Sequence, residues 1–217
     1  MVVPVLHDDV HLAKLLSWLD AHKLCAIIVD GAEDEKTRQL VAAPHVYLSS
    51  KPGRGHQIAC GIGAASTAWV WVLHADGLPS SAAVAQLDKV IQADQPCWGR
   101  FNVNINGLAL IAWMMNVRSR VTKICTGDQA MFFHQSLLAQ IGGFPEQPLM
   151  EDIEASKRLK HIAGGAFFAA AGRVETSARR WRRGGVLSTV LSMWLYRCRY
   201  FFGATPEALA RDYYRGN

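Results

Sequence analysis

Apolar positions in the first 95 residues switch repeatedly between two spacings. "VVPVL" (Val2–Leu6) is a short apolar run of strand type. "HLAKLLSWLDAH" follows, with Leu12, Leu15, Leu16 and Leu19 at i, i+3, i+4 and i+7, one face of a helix. "LCAIIVD" (Leu24–Asp30) is continuously apolar and ends in an acid, which fits a strand buried on both faces. "EKTRQLVAA" predicts a helix and "HVYLSS" a strand. "KPGRG" breaks the pattern, "HQIACGIGAAS" resumes a helix, and "WVWVLHAD" (Trp69–Asp76) is a second apolar strand ending in an acid. Strands separated by helices of this length call for a parallel sheet with right-handed crossovers, an α/β fold.

Later segments are less regular. "SAAVAQLDKVIQA" predicts a helix with Val84, Leu87 and Ile91 on one side. "CWGRFNVNIN" alternates like a strand, and "GLALIAWMMNVRSRV" reads as a helix. "GDQAMFFHQSLLAQIGG" covers a strand, a short helix and a glycine stop. A helix opening at Glu151-Asp152 follows. "VLSTVLSMWLYRCRYFFG" predicts a long amphipathic helix with Leu187, Val190, Leu191, Trp194, Leu195, Cys198 and Phe202 on its apolar side. Thr205-Pro206-Glu207 looks like an N-cap with proline at the first helical position. No linker interrupts the series. One domain over 1–217 is expected, with sections at 1–95, 96–180 and 181–217.

Composition narrows the classes. Half of the 217 residues are apolar, enough for a core without staples. The five cysteines (25, 60, 97, 125, 198) are odd in number and include no CxxC pair, so reduced thiols in a cytoplasmic protein are expected. No charged segment followed by an apolar stretch opens the chain, so no signal peptide is expected. The formal charge is +5, and "SARRWRRGG" (Ser177–Gly185) packs four arginines around Trp181. Basic and aromatic residues do not interleave over a longer stretch, which argues against a nucleic-acid partner. The long amphipathic helix has two readings. It packs on the sheet or on a second copy, or it lies on a membrane with Arg197 and Arg199 flanking Trp194 and Phe201.

Candidate chemistry clusters at strand ends. Asp30 and Asp76 each end an apolar strand, and in a parallel sheet the ligand crevice lies beyond the carboxyl ends. Such carboxylates accept hydrogen bonds from a base or ribose, or hold a divalent cation through oxygen. Each also precedes a glycine, a common turn dipeptide. "KPGRGHQ" brings Lys51, Arg54 and a helix start to the same rim, a phosphate-favouring set. His74 and Asp76 share a strand face, so both reach one ion or one phosphate. "GGFPEQPLMEDIEASKRLK" (Gly142–Lys160) places two glycines and a ring ahead of paired acids. Acids early and bases late suit the helix dipole, and Glu154 sits four residues before Arg158. That leaves the glycines and the uninterrupted Glu151-Asp152 pair unexplained. Glycines permit close approach of a ligand, and adjacent carboxylates facing a cleft push one pKa upward, as suits a general base.

In this order, "VDG", "GRGHQ", "LHAD", "WGRF", "TGDQAMF" and "GGFPEQPLMEDIEASKRLK" resemble the family 2 inverting glycosyltransferases. "RRW" followed by "YFFGATPEALARDYY" is similar to a small, soluble bacterial glycosyltransferase-like subgroup. The resemblance implies a GT-A fold, the Rossmann-like nucleotide-diphospho-sugar transferase architecture: a mixed, mostly parallel sheet flanked by helices, with C-terminal amphipathic helices. It implies an enzyme that moves a sugar from a UDP- or GDP-sugar to an acceptor hydroxyl with Mg²⁺ or Mn²⁺. Pro4 and Asp8 would stand at the lip of the nucleotide pocket, Asp30 at the nucleobase, and Arg54 at the base and phosphates. "HAD" stands at the metal motif, with Asp76 and His74 as its members. Asp152 matches the catalytic base, with Glu151 beside it. Asp128, Gln129, Gly142, Gly143, Arg180 and Trp181 would face the acceptor and phosphates. His7, Glu35 and Gly77 depart from the family pattern. Those departures keep open a nucleotide-sugar-binding protein that has lost transfer. A nucleotidyltransferase is a further alternative, disfavoured because no glycine-rich loop with arginine and lysine follows the first strand. Peripheral contact with the inner face of the membrane and a homodimer also stay open.

Overall fold

The computed structural model describes residues 1–215, apart from the side chains of Arg180 and Arg183. β1 (Val2–Val5), α1 (Asp9–Ala21), β2 (Ile27–Asp30), α2 (Glu35–Leu40), β3 (Val46–Ser49), α3 (Arg54–Ala64) and β4 (Trp69–Trp71) alternate as the hydrophobic pattern predicts. β5 (Leu78–Pro79), α4 (Ser81–Gln92), β6 (Trp98–Ile105) and α5 (Ala109–Thr122) follow. A 3₁₀ turn (Gly127–Gln129), β7 (Phe132–His134), α6 (Gln135–Gln140) and α7 (Glu151–Ala163) come next, then β8 (Phe167–Thr176), α8 (Arg179–Gly184), α9 (Val186–Phe201) and α10 (Pro206–Arg215). Thr205 caps α10 as expected, its Oγ1 accepting the Ala208 N–H at 3.3 Å.

The strands form a parallel sheet, β1-β2-β3, and a mixed sheet, β4-β7-β6-β8-β5, joined by a parallel bridge between Val2 and Val72. Only β5 and β7 run against the common direction. The sheet is therefore mixed and mostly parallel, as expected. Alternate strand residues serve opposite faces. Val3, Val5, Trp71 and Leu73 pack with Leu12, Leu15 and Leu19 of α1 on one side. Val2, Val70 and Val72 pack with Ile58 of α3 and Leu159 of α7 on the other. Burial on both faces is why these strands read as unbroken apolar runs.

Two parts of the fold depart from the sequence pattern. No periodicity marks Phe167–Thr176, yet it forms the longest strand, between β6 and β5. Its buried positions are mostly small: Ala170, Gly172, Val174 and Thr176. A Cβ on Gly172 would stand 2.5 Å from the Ala83 Cα, so the close approach of α4 selects glycine there. The second departure is α9. Of its expected apolar side only Val190 joins a core cluster, while Leu187, Leu191, Trp194, Leu195, Cys198 and Phe202 are exposed. The side against the body carries Val186, Thr189, Met193 and Tyr200 instead. Tyr200 fixes that side by donating its hydroxyl to Glu154 of α7 at 2.7 Å.

Candidate active site: two adjoining cavities

A cavity of about 340 Å³ opens at the carboxyl ends of β1, β4 and β8. Pro4, Asp8, Arg54, His74, Asp76, Asp128 and Trp181 all line it. Tyr213 and Tyr214 of α10 close part of its wall.

Each charged group is held by a separate local device. Asp8, just before α1, has Oδ1 2.6 Å from His11 Nδ1, and its Oδ2 accepts Arg179 Nη2 at 3.0 Å. That pair ties the first strand's end to α8. Asp76 Oδ2 accepts the Thr176 hydroxyl at 3.3 Å. Gln57 donates to the carbonyls of Val5 (2.6 Å) and Val29 (2.8 Å), pinning α3 to β1 and β2. Arg54 opens α3 after Gly53, whose φ of +130° few side chains could adopt. A Cβ on the next glycine, Gly55, would meet the Gln147 carbonyl oxygen at 2.4 Å, so glycine lets α3 start against the 145–147 loop. This contact carries Arg54 toward α7.

A second cavity, about 90 Å³, shares Arg54, Asp128 and Tyr213 with the first and adds Glu151, Asp152, Tyr196 and Arg197. Met150, in the left-handed region at φ 63°, turns the chain into α7. Glu151 then points inward, and its side chain is 2% exposed. Its Oε1 lies 3.7 Å from Arg54 Nη1 and has no hydrogen-bond partner. Burial, and then the neighbouring Asp152 charge, push the Glu151 carboxyl up to about 7, with Arg54 opposing. Burial disfavours the Arg54 charge, but Glu151, Asp128 and Asp152 outweigh it and raise the guanidinium pKa.

Asp152 is differently placed. Its Oδ2 accepts the Gly127 N–H at 2.8 Å and its Oδ1 the Ile153 N–H at 2.7 Å. The carboxylate thus fixes the turn that carries Asp128.

Several expected positions lie elsewhere. Asp30 lines neither cavity and is fully buried. Its carboxylate is spent on its own loop, accepting the Ala32 and Asp34 N–H groups (2.8 and 2.7 Å) and the Tyr47 hydroxyl (3.0 Å). Gln129 is buried behind the turn and donates to Ser119 Oγ at 2.8 Å. Gly142 and Gly143 adopt φ of +80° and +90° and end α6, with the Gly143 N–H bonded to the Leu138 carbonyl at 2.8 Å. They stop a helix and line neither cavity. Phe144, after them, packs edge-on against Phe133 beneath the acids. Arg180's side chain lies outside the described residues. Conversely Gln57, Thr176, Arg179 and Tyr213 line the larger cavity without having been singled out one by one, though "GRGHQ", "SARRW" and "ARDYY" contain three of them.

A divalent cation can be tested against these groups. Among the described residues no three His, Cys, Asp or Glu side chains stand close enough to hold one alone. His74 Nδ1 lies 3.4 Å from Asp128 Oδ1, and its Nε2 is buried without a partner. The ring fits only because residue 127 is glycine, since a Cβ there would lie 2.4 Å from it. Asp76 and Asp128 line the same cavity as His74 and offer hard oxygens to it, Asp128 on the Nδ1 side of the ring. Such a set suits Mg²⁺ or Mn²⁺ when substrate phosphates complete the shell.

The strand order, the helical layers and a cavity at the carboxyl strand ends define the nucleotide-diphospho-sugar transferase architecture, the GT-A fold. No family model and no curated protein sequence matches the chain. Solved structures do match. Glucosyl-3-phosphoglycerate synthase from Mycobacterium tuberculosis, in complex with Mg²⁺ and UDP, superposes with a TM-score of 0.64 at 17% identity, over 91% of this chain and 78% of that one. TarS 1-349 of S. aureus gives 0.63 at 15% identity, over 82% and 59%. The mannosyltransferase PcManGT from Pyrobaculum calidifontis, with GDP-Man and Mn²⁺, gives 0.58 at 20%, over 80% and 55%. The chain thus spans about three-fifths of the TarS fragment's length.

Proposed function

We propose that the protein is a divalent-cation-dependent inverting glycosyltransferase, moving a sugar from a UDP- or GDP-sugar to an acceptor hydroxyl. One observation carries this reading: a charged cavity of about 340 Å³ adjoins a carboxylate cavity, and Arg54 and Asp128 belong to both. The three fold relatives were solved with UDP, UDP-GlcNAc or GDP-Man, which supports a nucleotide-sugar donor. The sections 1–95, 96–180 and 181–215 would act as one unit, since all three line the larger cavity.

In this reading the donor's nucleotide lies along Pro4, Asp8 and Gly53, with its diphosphate toward Arg54. Asp76, with His74 and Asp128 beside it, would hold the cation; when bound, it offsets charge on the departing diphosphate. Arg54 stabilises the same developing charge from the protein side. Asp152 accepts the proton of the acceptor hydroxyl as that oxygen bonds to C1. The C1–O bond to the diphosphate breaks on the opposite face, its electron pair leaving with the nucleotide, so the anomeric centre inverts. Glu151 holds Arg54 in position across the two cavities.

A second reading, a nucleotide-sugar-binding protein without transfer, is favoured by one feature: both Asp152 oxygens already accept backbone N–H groups. Purified protein incubated with UDP- and GDP-sugars and Mn²⁺ or Mg²⁺ separates the two. Release of nucleoside diphosphate that Asp152→Asn slows by roughly 10²-fold or more supports the enzyme. Tight donor binding with no release under any pairing replaces it with the binding protein.

A further inference from the structure

Both cavities owe part of their wall to the last helix. α10 folds back with Leu209 and Ala210 buried. Tyr213 and Tyr214 stand four residues after them, so the face that anchors the helix also presents both rings to the site. Arg199 of α9 holds Asp212, just before the rings, at 2.7 Å. Tyr196 of α9 meets the Tyr213 ring edge-to-face, with centroids 5.7 Å apart. The two neighbouring tyrosines are nevertheless placed differently. Tyr214 lines the larger cavity, while Tyr213 lines both.

Among the described residues, Arg54, Asp128 and Tyr213 are the three that line both cavities. The seam they form is where the reacting carbon must lie, since the donor's diphosphate belongs to the larger cavity and Asp152 stands in the smaller. Arg54 and Asp128 carry charges suited to a diphosphate and its cation. Tyr213 is the neutral member of the three. A neutral pyranose has an apolar face of C–H groups, which an aromatic ring covers well. The Tyr213 phenol is also one of the groups that raise the Arg54 guanidinium, so this side chain reaches the seam itself.

We propose that Tyr213 packs its ring against the sugar being transferred, with α10 as the wall that holds that sugar over the seam. The inference rests on the donor reading above and adds a sugar-positioning residue to it. Tyr214, one residue further on, faces the nucleotide side alone. That contrast separates a ring that touches the sugar from a helix that merely braces the site.

Isothermal titration of the full chain with Mn²⁺ compares UDP and GDP with UDP-glucose, UDP-N-acetylglucosamine and GDP-mannose. Tyr213→Ala should weaken the tightest-binding nucleotide sugar about five- to tenfold, the worth of one ring over a sugar's apolar face, while affinity for the matching nucleoside diphosphate stays within about twofold. Tyr213→Phe keeps the ring and should keep both affinities. Tyr214→Ala should weaken the diphosphate and the nucleotide sugar alike. If the alanine variant at 213 does not fold, Tyr213→Leu repeats the test with an apolar side chain that lacks the ring. Unchanged affinities or equal losses in the ringless variant, a Tyr213→Phe protein just as impaired, or the same selective loss in Tyr214→Ala each overturn the proposal and leave the donor reading standing. A parent protein that binds none of these nucleotides removes the donor reading, and this inference with it.

Discussion

The two cavities meet at Arg54 and Asp128 but treat their charges in opposite ways. In the larger, carboxylates have cross-chain partners: Asp8 holds Arg179, and Asp76 is held by Thr176. In the smaller, the deepest carboxyl, Glu151, has an oxygen without a hydrogen bond and stands 3.7 Å from its counter-charge. A cavity lined by restrained charges keeps its shape and can receive a polyanion without reorganising. A buried, half-satisfied carboxyl raises the local electrostatic stakes, because burial weakens screening. The division fits donor binding on one side and proton chemistry on the other, and each substitution below acts on one side or on the seam.

The largest effect is expected at Asp152. Asp152→Asn should keep the fold: the amide oxygen can still accept the Gly127 N–H, and only the Ile153 N–H, in the first turn of α7, loses its acceptor. Sugar transfer should fall by roughly 10²–10⁴-fold with donor affinity little changed. Isothermal titration with nucleoside diphosphate beside a turnover assay measures both. A variant that loses nucleotide affinity but keeps its rate would move Asp152 to the donor side and dissolve the distinction. Arg54→Ala strikes the seam. It removes a guanidinium from both cavities, so donor affinity should drop about 10–100-fold, the usual loss for a charge-assisted contact. The lesser effect should be on stability, and unchanged donor binding would exclude Arg54 from the phosphates.

How much of this was legible in the sequence differs between the same two sides. The first strands and helices announced themselves because β1, β2 and β4 are buried on both faces and α1 has one apolar face. Their carboxyl ends pointed to Arg54, His74 and Asp76, and the family resemblance pointed to Asp8; all four line the larger cavity. Asp30 ends its strand as expected but lines neither cavity, since a strand-ending acid serves a loop as readily as a ligand and here accepts from Ala32, Asp34 and Tyr47. β8 stayed hidden because Gly172 answers to the backbone of α4 and the alanines beside it carry little hydrophobic signal. The paired acids were visible, but the asymmetry between them depends on Met150's turn and on Gly55's contact with the 145–147 loop, which no local pattern encodes. Tyr213 reaches the site only through the fold-back of α10.

Glu151 sharpens the comparison through pH. Its carboxyl is raised from 4.5 to about 7, so between those values the unfolded chain has released a proton that the folded chain keeps. Stability should then fall as pH rises through that window and stay lower above it. Glu151→Gln removes the titration and should flatten the profile, leaving the variant roughly 1–3 kcal/mol more stable than the parent at pH 8 relative to pH 5. Thermal melts at a series of pH values decide it. Parallel profiles for the two proteins would show that Glu151 ionises as easily as a surface acid.

The smallest effect belongs to the larger cavity's own restraints. Thr176 ends β8 opposite Ile105, and its hydroxyl reaches Asp76 Oδ2 at 3.3 Å. Thr176→Val keeps the shape and the strand preference but removes that donor. One neutral-to-charged hydrogen bond at this length is worth about 1 kcal/mol net, so Mn²⁺-dependent nucleotide affinity should change by about five-fold or less. The direction is informative. If the hydroxyl only orients Asp76, its loss weakens binding, because the carboxylate must be ordered when the ligand arrives. If the hydroxyl instead competes with a cation for the same oxygen, binding tightens in the variant. Only the first outcome agrees with a donor cavity arranged before its ligand enters. A tighter-binding Thr176→Val protein would mean that the larger cavity, like the smaller one, waits for its ligand to settle its charges.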